Sequence, residues 1–389
     1  MGEEEAQAAR RPLLSGWVMQ GPEVAAFENE FAAYVNAPHA CAVSSGTAAL
    51  HLALLAAGVQ SGDEVVTVSH SFIATANSIR YCSAIPVFVD IDPHTLNIEP
   101  ALVEHAITPR TRAILCVHQI GMPCDLASIL PLARARGLTV IEDAACATGS
   151  EILWAGVWER IGRPHSDIAC FSFHPRKIMT TGDGGMITTA SLEWDQRFRL
   201  LRQHSMSVPA VRHDSSQVVT EDYASVGFNY RMTDVQAAIG REQLKRLPEI
   251  VRQRRCQADR YATLLATIPA VTPPFEPPWA RTNWQSYAIM LPPGCSQQCV
   301  MQFMLDRGIS TRRGIMCAHR EPAYRNEPWS CAGVDGPSGA SPTSCPQLLH
   351  SEQAQDRMIL LPVFHELTEE QQERVVEALR LALLAETNR

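Results

Sequence analysis

A regular alternation of short β-branched runs and longer helical stretches, from residue 41 to about residue 189, constrains this chain most. The predicted strands are Glu64–Val68, Pro86–Val89, Ala113–Val117, Leu138–Ile141, Ile168–Ser172 and Met186–Thr189. The predicted helices between them are Thr47–Ala57, Thr75–Cys82 and Leu126–Arg136. This alternation predicts an α/β fold with a mostly parallel central sheet flanked by helices. Ligands of such sheets bind at the carboxyl ends of the strands.

Beyond Ser191 the pattern becomes mainly helical and then mixed. Helices are predicted over Leu192–His204, Thr233–Arg246, Glu249–Leu265, Gln297–Arg307 and Glu369–Leu384, with one strand over Ser286–Leu291. The segment Arg325–Ser344 is rich in Gly, Pro and Ser and is predicted to be a surface loop. Because the helix after Pro248 can join two units, we predict a large domain over residues 1–250 and a smaller C-terminal α+β domain over 251–389.

Composition excludes several classes of function. The 33 Lys+Arg against 41 Asp+Glu give a net charge of -8, so neither nucleic acid nor an acidic membrane is an expected partner. The first residues lack the apolar core of a signal peptide, and no apolar run reaches the ~18 residues of a membrane span. The 12 cysteines include no CxxC pair, which predicts reduced thiols, no metal site and a cytoplasmic protein.

Two clusters of candidate binding residues follow predicted strands in the first half of the chain. In Ser44–Leu50, Gly46 and Thr47 open a helix whose free N–H groups suit a phosphate, although a simple helix cap explains the same pattern. In Ile141–Cys146, Asp143 follows an apolar strand. A carboxylate there can keep the ring nitrogen of a pyridine cofactor protonated, or can simply cap the next helix.

Two further clusters lie later in the chain. Phe171–Lys177, followed by Thr180–Gly185, places Lys177 in a glycine-rich bend beside a buried strand. Apolar surroundings and neighbouring cations favour a nucleophilic lysine, and Ser172 can add a phosphate contact. The fourth cluster, Gly227–Asp234, precedes an amphipathic helix, and helix capping alone explains it as well.

These four clusters, in this order, resemble the DegT/DnrJ/EryC1/StrS family of aminotransferases. The specific signature is FSFHPRK followed by TTGDGG, and the similarity extends over nearly the whole chain. Matching stretches elsewhere include residues 15–22, 62–66, 86–90, 107–111 and 237–240. The resemblance implies fold type I of the pyridoxal-phosphate-dependent transferases.

The resemblance also implies roles for individual residues. Lys177 corresponds to the lysine that forms a Schiff base with pyridoxal 5'-phosphate and moves the proton during catalysis. Asp143 corresponds to the partner of the pyridinium nitrogen, and Phe72 to the aromatic residue stacked on the ring. The implied phosphate ligands are Gly46, Thr47, Ser172 and, from a neighbouring subunit, Asn229. The implied substrate neighbours are Trp17 and Met19.

The reaction implied by the resemblance has two half-reactions and needs no metal. An amino acid, usually glutamate, donates its amino group to the cofactor, and a keto-sugar, in many cases nucleotide-linked, then accepts it. The expected setting is amino-sugar or natural-product biosynthesis. The expected assembly is a homodimer with shared active sites.

The sequence departs from the family pattern at three places. Cys146 stands where relatives commonly have Gln or His beside the 3'-oxygen of the cofactor. The segment Glu151–Pro164 is longer than the usual hairpin and predicts a lid or an interface element. The segment Gly308–Ile315, which contains Arg312, lacks a His-Tyr pair that often follows it, whereas His319 matches a family histidine.

Other functions remain open on the sequence. The missing His-Tyr pair favours an aminocyclitol or another small ketone as an alternative acceptor. A sugar dehydratase is disfavoured, because family dehydratases replace the lysine by histidine. A non-catalytic regulator is disfavoured by the complete catalytic set and by the lack of a DNA-binding segment.

Overall fold

The computed structural model describes residues 1–207, 221–331 and 345–387. Its helices are α1 (Glu3–Ser15), α2 (Pro22–Val35), α3 (Gly46–Ala56), α4 (Ala74–Tyr81), α5 (Pro100–Ala106), α6 (Leu126–Arg136), α7 (Leu192–Leu201), α8 (Asp234–Leu265), α9 (Gln297–Leu305), α10 (Leu349–Arg357) and α11 (Glu369–Thr387). Its strands are β1 (His39–Val43), β2 (Glu64–Val68), β3 (Ile85–Val89), β4 (Thr111–Val117), β5 (Thr139–Asp143), β6 (Glu151–Trp154), β7 (Val157–Arg160), β8 (Ile168–Ser172), β9 (Gly185–Thr189), β10 (Ala280–Arg281), β11 (Tyr287–Met290), β12 (Arg312–Arg313), β13 (Ser330–Cys331) and β14 (Met358–Leu361).

The main sheet has the order β1-β9-β8-β5-β4-β2-β3-β13. Only β9 pairs antiparallel, with both β1 and β8, and the other pairings are parallel. The prediction of a mostly parallel central sheet is therefore confirmed. The carboxyl ends of β1, β2, β4, β5 and β8 share one edge, and Gly46, Phe72, Asp143 and Ser172 end or follow four of these strands.

Helices cover both faces of this sheet, because its strands are buried on both sides. Successive residues alternate between two apolar clusters: Val65 and Ala113 face α3 and α7, whereas Val66 and Ile114 face α2, α6 and α8. Such double burial explains why the strands read as continuous apolar runs. A separate cluster joins the end of α8 to α9, α11 and the sheet β11-β14-β12.

The structure corrects the prediction of two helices around Pro248. A single helix, α8, runs from Asp234 to Leu265 with Pro248 inside it. A proline inside a helix costs about 3 kcal/mol, but the flanking Leu244, Leu247 and Ile250 are buried. Burial of each such side chain contributes about 1.5–3 kcal/mol, so the apolar face outweighs the lost hydrogen bond. The domain boundary at 250/251 falls within this helix and stays a prediction.

Other segments also differ from expectation. The residues before β1 form α1 and α2, which the sequence pattern did not reveal. Of the predicted surface loop Arg325–Ser344, residues 332–344 lie outside the described residues. Residues 325–328 are exposed, as predicted, but Trp329 is buried and Ser330–Cys331 is the edge strand β13. Among the described helices, none is long and apolar enough to cross a membrane.

Candidate active site

Lys177 lies in the loop that follows β8. The N–H of Arg176 donates to Nδ1 of His174 at 3.2 Å, and the N–H of Lys177 donates to the carbonyl of His174 at 2.8 Å. These two bonds close a turn in the loop. The half-buried amine Nζ donates to Sγ of Cys146 at 3.0 Å. The chain contains one other lysine, Lys245, which is exposed on α8. Lys177 is therefore the lysine at the strand ends.

Asp143 is the last residue of β5 and is only 6% exposed. Its Oδ2 accepts a hydrogen bond from Oγ1 of Thr75 at 2.7 Å, and its Oδ1 accepts one from the N–H of Ala145 at 3.2 Å. A turn, not a helix, follows Asp143, so the helix-cap interpretation is wrong. A carboxylate has about four acceptor positions, so the two bonds described leave room for a further donor.

A buried polar cluster supports the end of β5. Glu142 accepts from Oγ of Ser166 and pairs with Nε2 of His118 at 2.6 Å, while the N–H of His118 donates to the carbonyl of Asp143 at 3.1 Å. Nearby, burial raises the pKa of Cys170 well above its ordinary value, and the charges of Asp143 and Glu142 add to the effect. That thiol stays neutral, so it places no additional charge beside Asp143.

Gly46 and Ser172 lie against each other at the start of α3. A Cβ on Gly46 would stand 2.7 Å from Cβ of Ser172, so only glycine permits this approach. Ser45 caps α3 by accepting from the N–H of Ala48 at 3.1 Å. The helix-cap interpretation is therefore right for Ser45, while Gly46 and Thr47 form the first turn, whose N–H groups favour an anion.

Aromatic packing on both sides of Ser172 holds this residue in place at the sheet edge. The rings of its buried neighbours Phe171 and Phe173 pack against α2, with Phe171 5.0 Å from Phe31 and Phe173 5.4 Å from Phe27. The Phe171–Phe31 pair is edge-to-face and the Phe173–Phe27 pair is tilted, and such contacts favour one ring orientation. Ser172 is consequently held between two anchored residues.

Phe72 is 68% exposed, which is unusual for an aromatic side chain at a sheet edge. Its carbonyl accepts from the N–H of Thr75 at 3.0 Å, so Phe72 lies one turn before the hydroxyl that binds Asp143. An exposed ring beside a buried carboxylate fits a flat, partly apolar ligand.

Asn229 lies beside the end of β1. The N–H of Ser44 donates to the carbonyl of Tyr230 at 2.8 Å, and exposed Asn229 accepts from Nε of Arg231 at 3.2 Å. Further along the fourth cluster, Thr233 caps α8 by accepting from Gln236 at 3.1 Å. Helix capping is thus correct for Thr233, and the role of Asn229 stays a prediction.

The predicted substrate residues lie on separate elements. Met19 pairs with Thr233 in an isolated antiparallel bridge, and the indole of Trp17 covers Gly21. Arg312 is exposed on β12. These positions are open to solvent, and their contact with substrate stays a prediction.

His319 has a different environment. It is 2% exposed, with Nδ1 2.6 Å from Oγ of Ser69 and Nε2 3.0 Å from Oε1 of Glu352. Both ring nitrogens therefore have protein partners. Burial lowers the pKa of His319, although Glu352 opposes the shift. This geometry makes His319 a support for the segment that leads to Phe72.

Sequence reasoning missed three polar residues that hold this site together. Thr75 binds Asp143, Asn283 binds the carbonyl of Cys146 at 2.8 Å, and Gln285 binds the main chain on both sides of Lys177. No local pattern in the sequence marks them, since Asn283 and Gln285 lie in the mainly polar run Arg281–Ser286. Their partners lie 68 to 137 residues away, and local patterns carry no information at that range.

A parallel sheet with one lysine, a carboxylate and a glycine–serine cradle at its carboxyl edge defines a fold type I transferase site. The chain matches the DegT/DnrJ/EryC1/StrS aminotransferase family over residues 1–380 and belongs to that family. It is accordingly a pyridoxal-phosphate-dependent aminotransferase.

Individual relatives agree with this assignment. The spore coat polysaccharide biosynthesis protein SpsC of Bacillus subtilis (strain 168) is 37% identical over 98% of this chain and 94% of its own. The aminotransferase TlmJ from Streptoalloteichus hindustanus is 32% identical, with a TM-score of 0.86 over 100% of this chain and 98% of its own. DesV of S. venezuelae, solved with a ketimine intermediate, is 34% identical, with a TM-score of 0.83 over 97% of this chain and 94% of its own.

Proposed function

We propose that this enzyme transfers an amino group from glutamate to the ketone of a nucleotide-linked sugar, with Lys177 as the catalytic residue. The observation that carries the proposal is the linked arrangement at the sheet edge. The amine of Lys177 lies 3.0 Å from Sγ of Cys146. Cys146 follows Asp143 by three residues, and the Asp143 carboxylate is buried and hydrogen-bonded to Thr75.

The side chains fit pyridoxal phosphate at three points. The Gly46–Ser172 contact leaves the first turn of α3 open to a phosphate. The carboxylate of Asp143 can accept a hydrogen bond from a protonated ring nitrogen. Phe72 offers an exposed face for stacking against the ring.

When bound, the cofactor supplies an aldehyde that amines attack and a ring that takes up electron density. Asp143 holds a proton at the ring nitrogen, which strengthens that electron demand. Lys177 would be the group that takes up the proton from the α carbon of the donor amino acid and delivers it to C4' of the cofactor. Cys146 lies within hydrogen-bond distance of the amine and limits its position.

Two observations support a sugar acceptor. The relative SpsC is named for polysaccharide biosynthesis. The predicted substrate residues Trp17, Met19 and Arg312 are exposed and offer apolar surface and a cation, which suits a sugar that carries phosphates. We place the reaction in amino-sugar or natural-product biosynthesis. The unbridged cysteines support a cytoplasmic location.

An aminocyclitol or another small ketone is the second candidate acceptor. The Gly308–Ile315 segment, which lacks the His-Tyr pair, favours it, and so does 27% identity to a 3-amino-5-hydroxybenzoic acid synthase with a TM-score of 0.88. The two acceptors are distinguished by charge, because only a nucleotide-linked sugar has phosphates for Arg312 to bind.

We also propose a homodimer in which Asn229 reaches the phosphate bound by the partner subunit. The exposed Val226 (86%) and Tyr223 (55%) lie close to Asn229 in sequence and support an interface there. Mixing the inactive Lys177→Ala and Asn229→Asp variants tests this arrangement. Shared sites restore part of the activity, and a mixture without activity argues against them.

Trapping with borohydride tests the cofactor assignment. The protein is incubated with pyridoxal phosphate, reduced, digested and examined by mass spectrometry. We expect the phosphopyridoxyl group on Lys177 and none on Lys245, which serves as an internal control. Labelling of Lys245 alone, or of neither lysine, would contradict the proposal.

A substrate panel then tests the acceptor. The enzyme is first treated with glutamate and then given nucleotide-linked keto-sugars or free cyclitol ketones, and the amine product is measured. Turnover with the nucleotide-linked sugars supports the leading proposal. Turnover confined to free cyclitols establishes the second candidate instead.

A further inference from the structure

A glutamine from the C-terminal part of the chain holds the main chain on both sides of Lys177. Oε1 of Gln285 accepts from the N–H of Ile178 at 2.7 Å, and its Nε2 donates to the carbonyl of Arg176 at 2.8 Å. Because peptide groups are planar, these two bonds fix the planes before and after Lys177. The direction in which the Lys177 side chain leaves the backbone is thereby set.

The same short segment holds the partner of the Lys177 amine. Nδ2 of the buried Asn283 donates to the carbonyls of Cys146 at 2.8 Å and Thr148 at 2.9 Å. Its Oδ1 accepts from the N–H of Gln285 at 2.8 Å. Asn283 and Gln285 are thus linked to each other, one bound to the Cys146 turn and the other to the Lys177 loop.

The segment itself has little freedom to move. Trp284, between the two amides, has a φ of 51°, which a tryptophan adopts only when its surroundings require it. The carbonyls of Trp284 and Gln285 accept from Nη1 of Arg254 on α8 at 2.9 and 3.0 Å. Across from them, a Cβ on Gly121 would stand 2.1 Å from Oδ1 of Asn283, so the approach requires glycine.

The hairpin formed by β6 and β7 anchors the start of this segment. Its strand β6 pairs with β10, which ends two residues before Asn283, and the guanidinium of Arg281 lies 3.8 Å over the ring of Trp158. In the described fold, residues 151–164 therefore have a structural role that differs from the predicted lid or interface element. Their strand β6 pairs with β10, the strand that leads into the segment with the two amides.

We propose that Asn283 and Gln285 are positioning residues that hold the amine of Lys177 in register with the Cys146 turn for proton transfer. They do not touch reacting atoms, and they act through the backbone of both loops. The proposal rests on the role of Lys177 proposed above. A displacement of about 1 Å in such a group can cost about 100-fold in rate, so two short hydrogen bonds suffice for a large effect.

The test compares two variants at Gln285 with a matched control. Gln285→Met removes both bonds at similar size, whereas Gln285→Glu keeps the acceptor for Ile178 and loses the donor to Arg176. The control is Gln297→Met, because Gln297 also donates to two main-chain carbonyls, those of Gln355 (3.1 Å) and Met358 (2.6 Å), in the C-terminal sheet.

Two measurements separate positioning from stability. The first is hydrogen exchange of the peptide around Ile178 without added cofactor, which we expect to accelerate in Gln285→Met only. The second is the glutamate half-reaction of the loaded enzyme. There we expect kcat to fall about 10- to 100-fold with a near-constant KM in Gln285→Met, and by less in Gln285→Glu. The pH profile of the yellow absorption shifts with kcat, while Gln297→Met lowers only Tm.

An unchanged kcat and pH profile in Gln285→Met, despite faster exchange, would overturn the proposal. If that variant does not fold, the kcat of Gln285→Glu decides, and a wild-type kcat there also overturns the proposal. A kcat loss in Gln297→Met as large as that in Gln285→Met shows a general stability effect and also overturns the proposal. Failure of borohydride to label Lys177 refutes the proposed function, while the exchange result at Ile178 stays valid on its own.

Discussion

The cofactor side and the substrate side of the site are built in different ways. On the predicted cofactor side, Lys177 binds Cys146 and Asp143 binds Thr75. Asp143 ends a buried strand, Cys146 and Lys177 lie in the turns that follow strands, and Thr75 is in the first turn of α4. On the substrate side, Trp17 and Arg312 lie on an N-terminal loop and on a two-residue strand. The first group shares one rigid sheet edge, and the second does not.

The difference teaches where change is tolerated. Atoms fixed by a parallel sheet cannot move without disturbing a buried core, so the chemistry depends on residues with little freedom. Exposed loops can change sequence without that cost, and binding residues accordingly concentrate on them. One aminotransferase scaffold can therefore serve different acceptors.

The largest expected effect is at Lys177 and tests the cofactor side directly. Lys177→Ala should lower amino transfer by at least about 1000-fold, because it removes both the nucleophile and the proton carrier. Steady-state assays and the loss of the yellow absorption measure it. Lys245→Ala is the control and should behave as wild type, since Lys245 pairs with Glu242 at the surface. Comparable losses in the two variants contradict the assignment.

The next largest loss of activity is expected at Asp143 and at Thr75, whose hydroxyl donates to the Asp143 carboxylate. Asp143→Asn should lower kcat by about 100-fold, because a neutral amide no longer stabilises a protonated ring nitrogen. Thr75→Val should lower it by about tenfold, since it removes one hydrogen bond to a charged group. Single-turnover rates with glutamate measure both. A larger loss in Thr75→Val than in Asp143→Asn reverses the expected order and argues against Asp143 as the main group.

A smaller effect is expected on the substrate side, at Arg312. Arg312→Ala should raise the KM of a nucleotide-linked acceptor by about tenfold and leave the glutamate half-reaction unchanged. The neighbouring Arg313 is the matched control, because it is also exposed and binds Glu321 at 3.2 Å. Equal KM changes in both variants indicate a general charge effect and remove the specific role of Arg312.

The smallest effect is expected at His319. A variant there distinguishes a structural role of this residue from contact with the substrate. His319→Gln should lower the free energy of unfolding by about 1 kcal/mol at neutral pH and leave the acceptor KM unchanged. Burial lowers the pKa of His319 below its ordinary value of 6.5. The stability it contributes is therefore complete above that value and is lost as the pH falls.

Denaturant titrations across this range check the His319 prediction. The difference between wild type and His319→Gln should be largest near pH 7 and should shrink below about pH 6.5. A rise in acceptor KM without a stability change would instead make His319 part of the substrate side.

Much of the fold was predictable because its signals are local. Apolar runs separated by helical periods identified the parallel sheet, and the position of Asp143 and Lys177 just after two such runs identified the reactive edge. The errors have equally physical causes. Pro248 stays within a helix because the buried face of α8 outweighs its cost, and β13 is too short for its pattern to be distinguished from a loop.

The sequence by itself determined the family and predicted Lys177 and Asp143 as site residues, because the family motif and both residues lie in contiguous stretches. Only the tertiary structure decided how those stretches are held. Gln285 lies 107 residues from Ile178, and Asn283 lies 137 residues from Cys146, yet they bind both turns of the site. Such pairings arise from packing of the whole chain, since hydrogen bonds between distant segments depend on where the core places them.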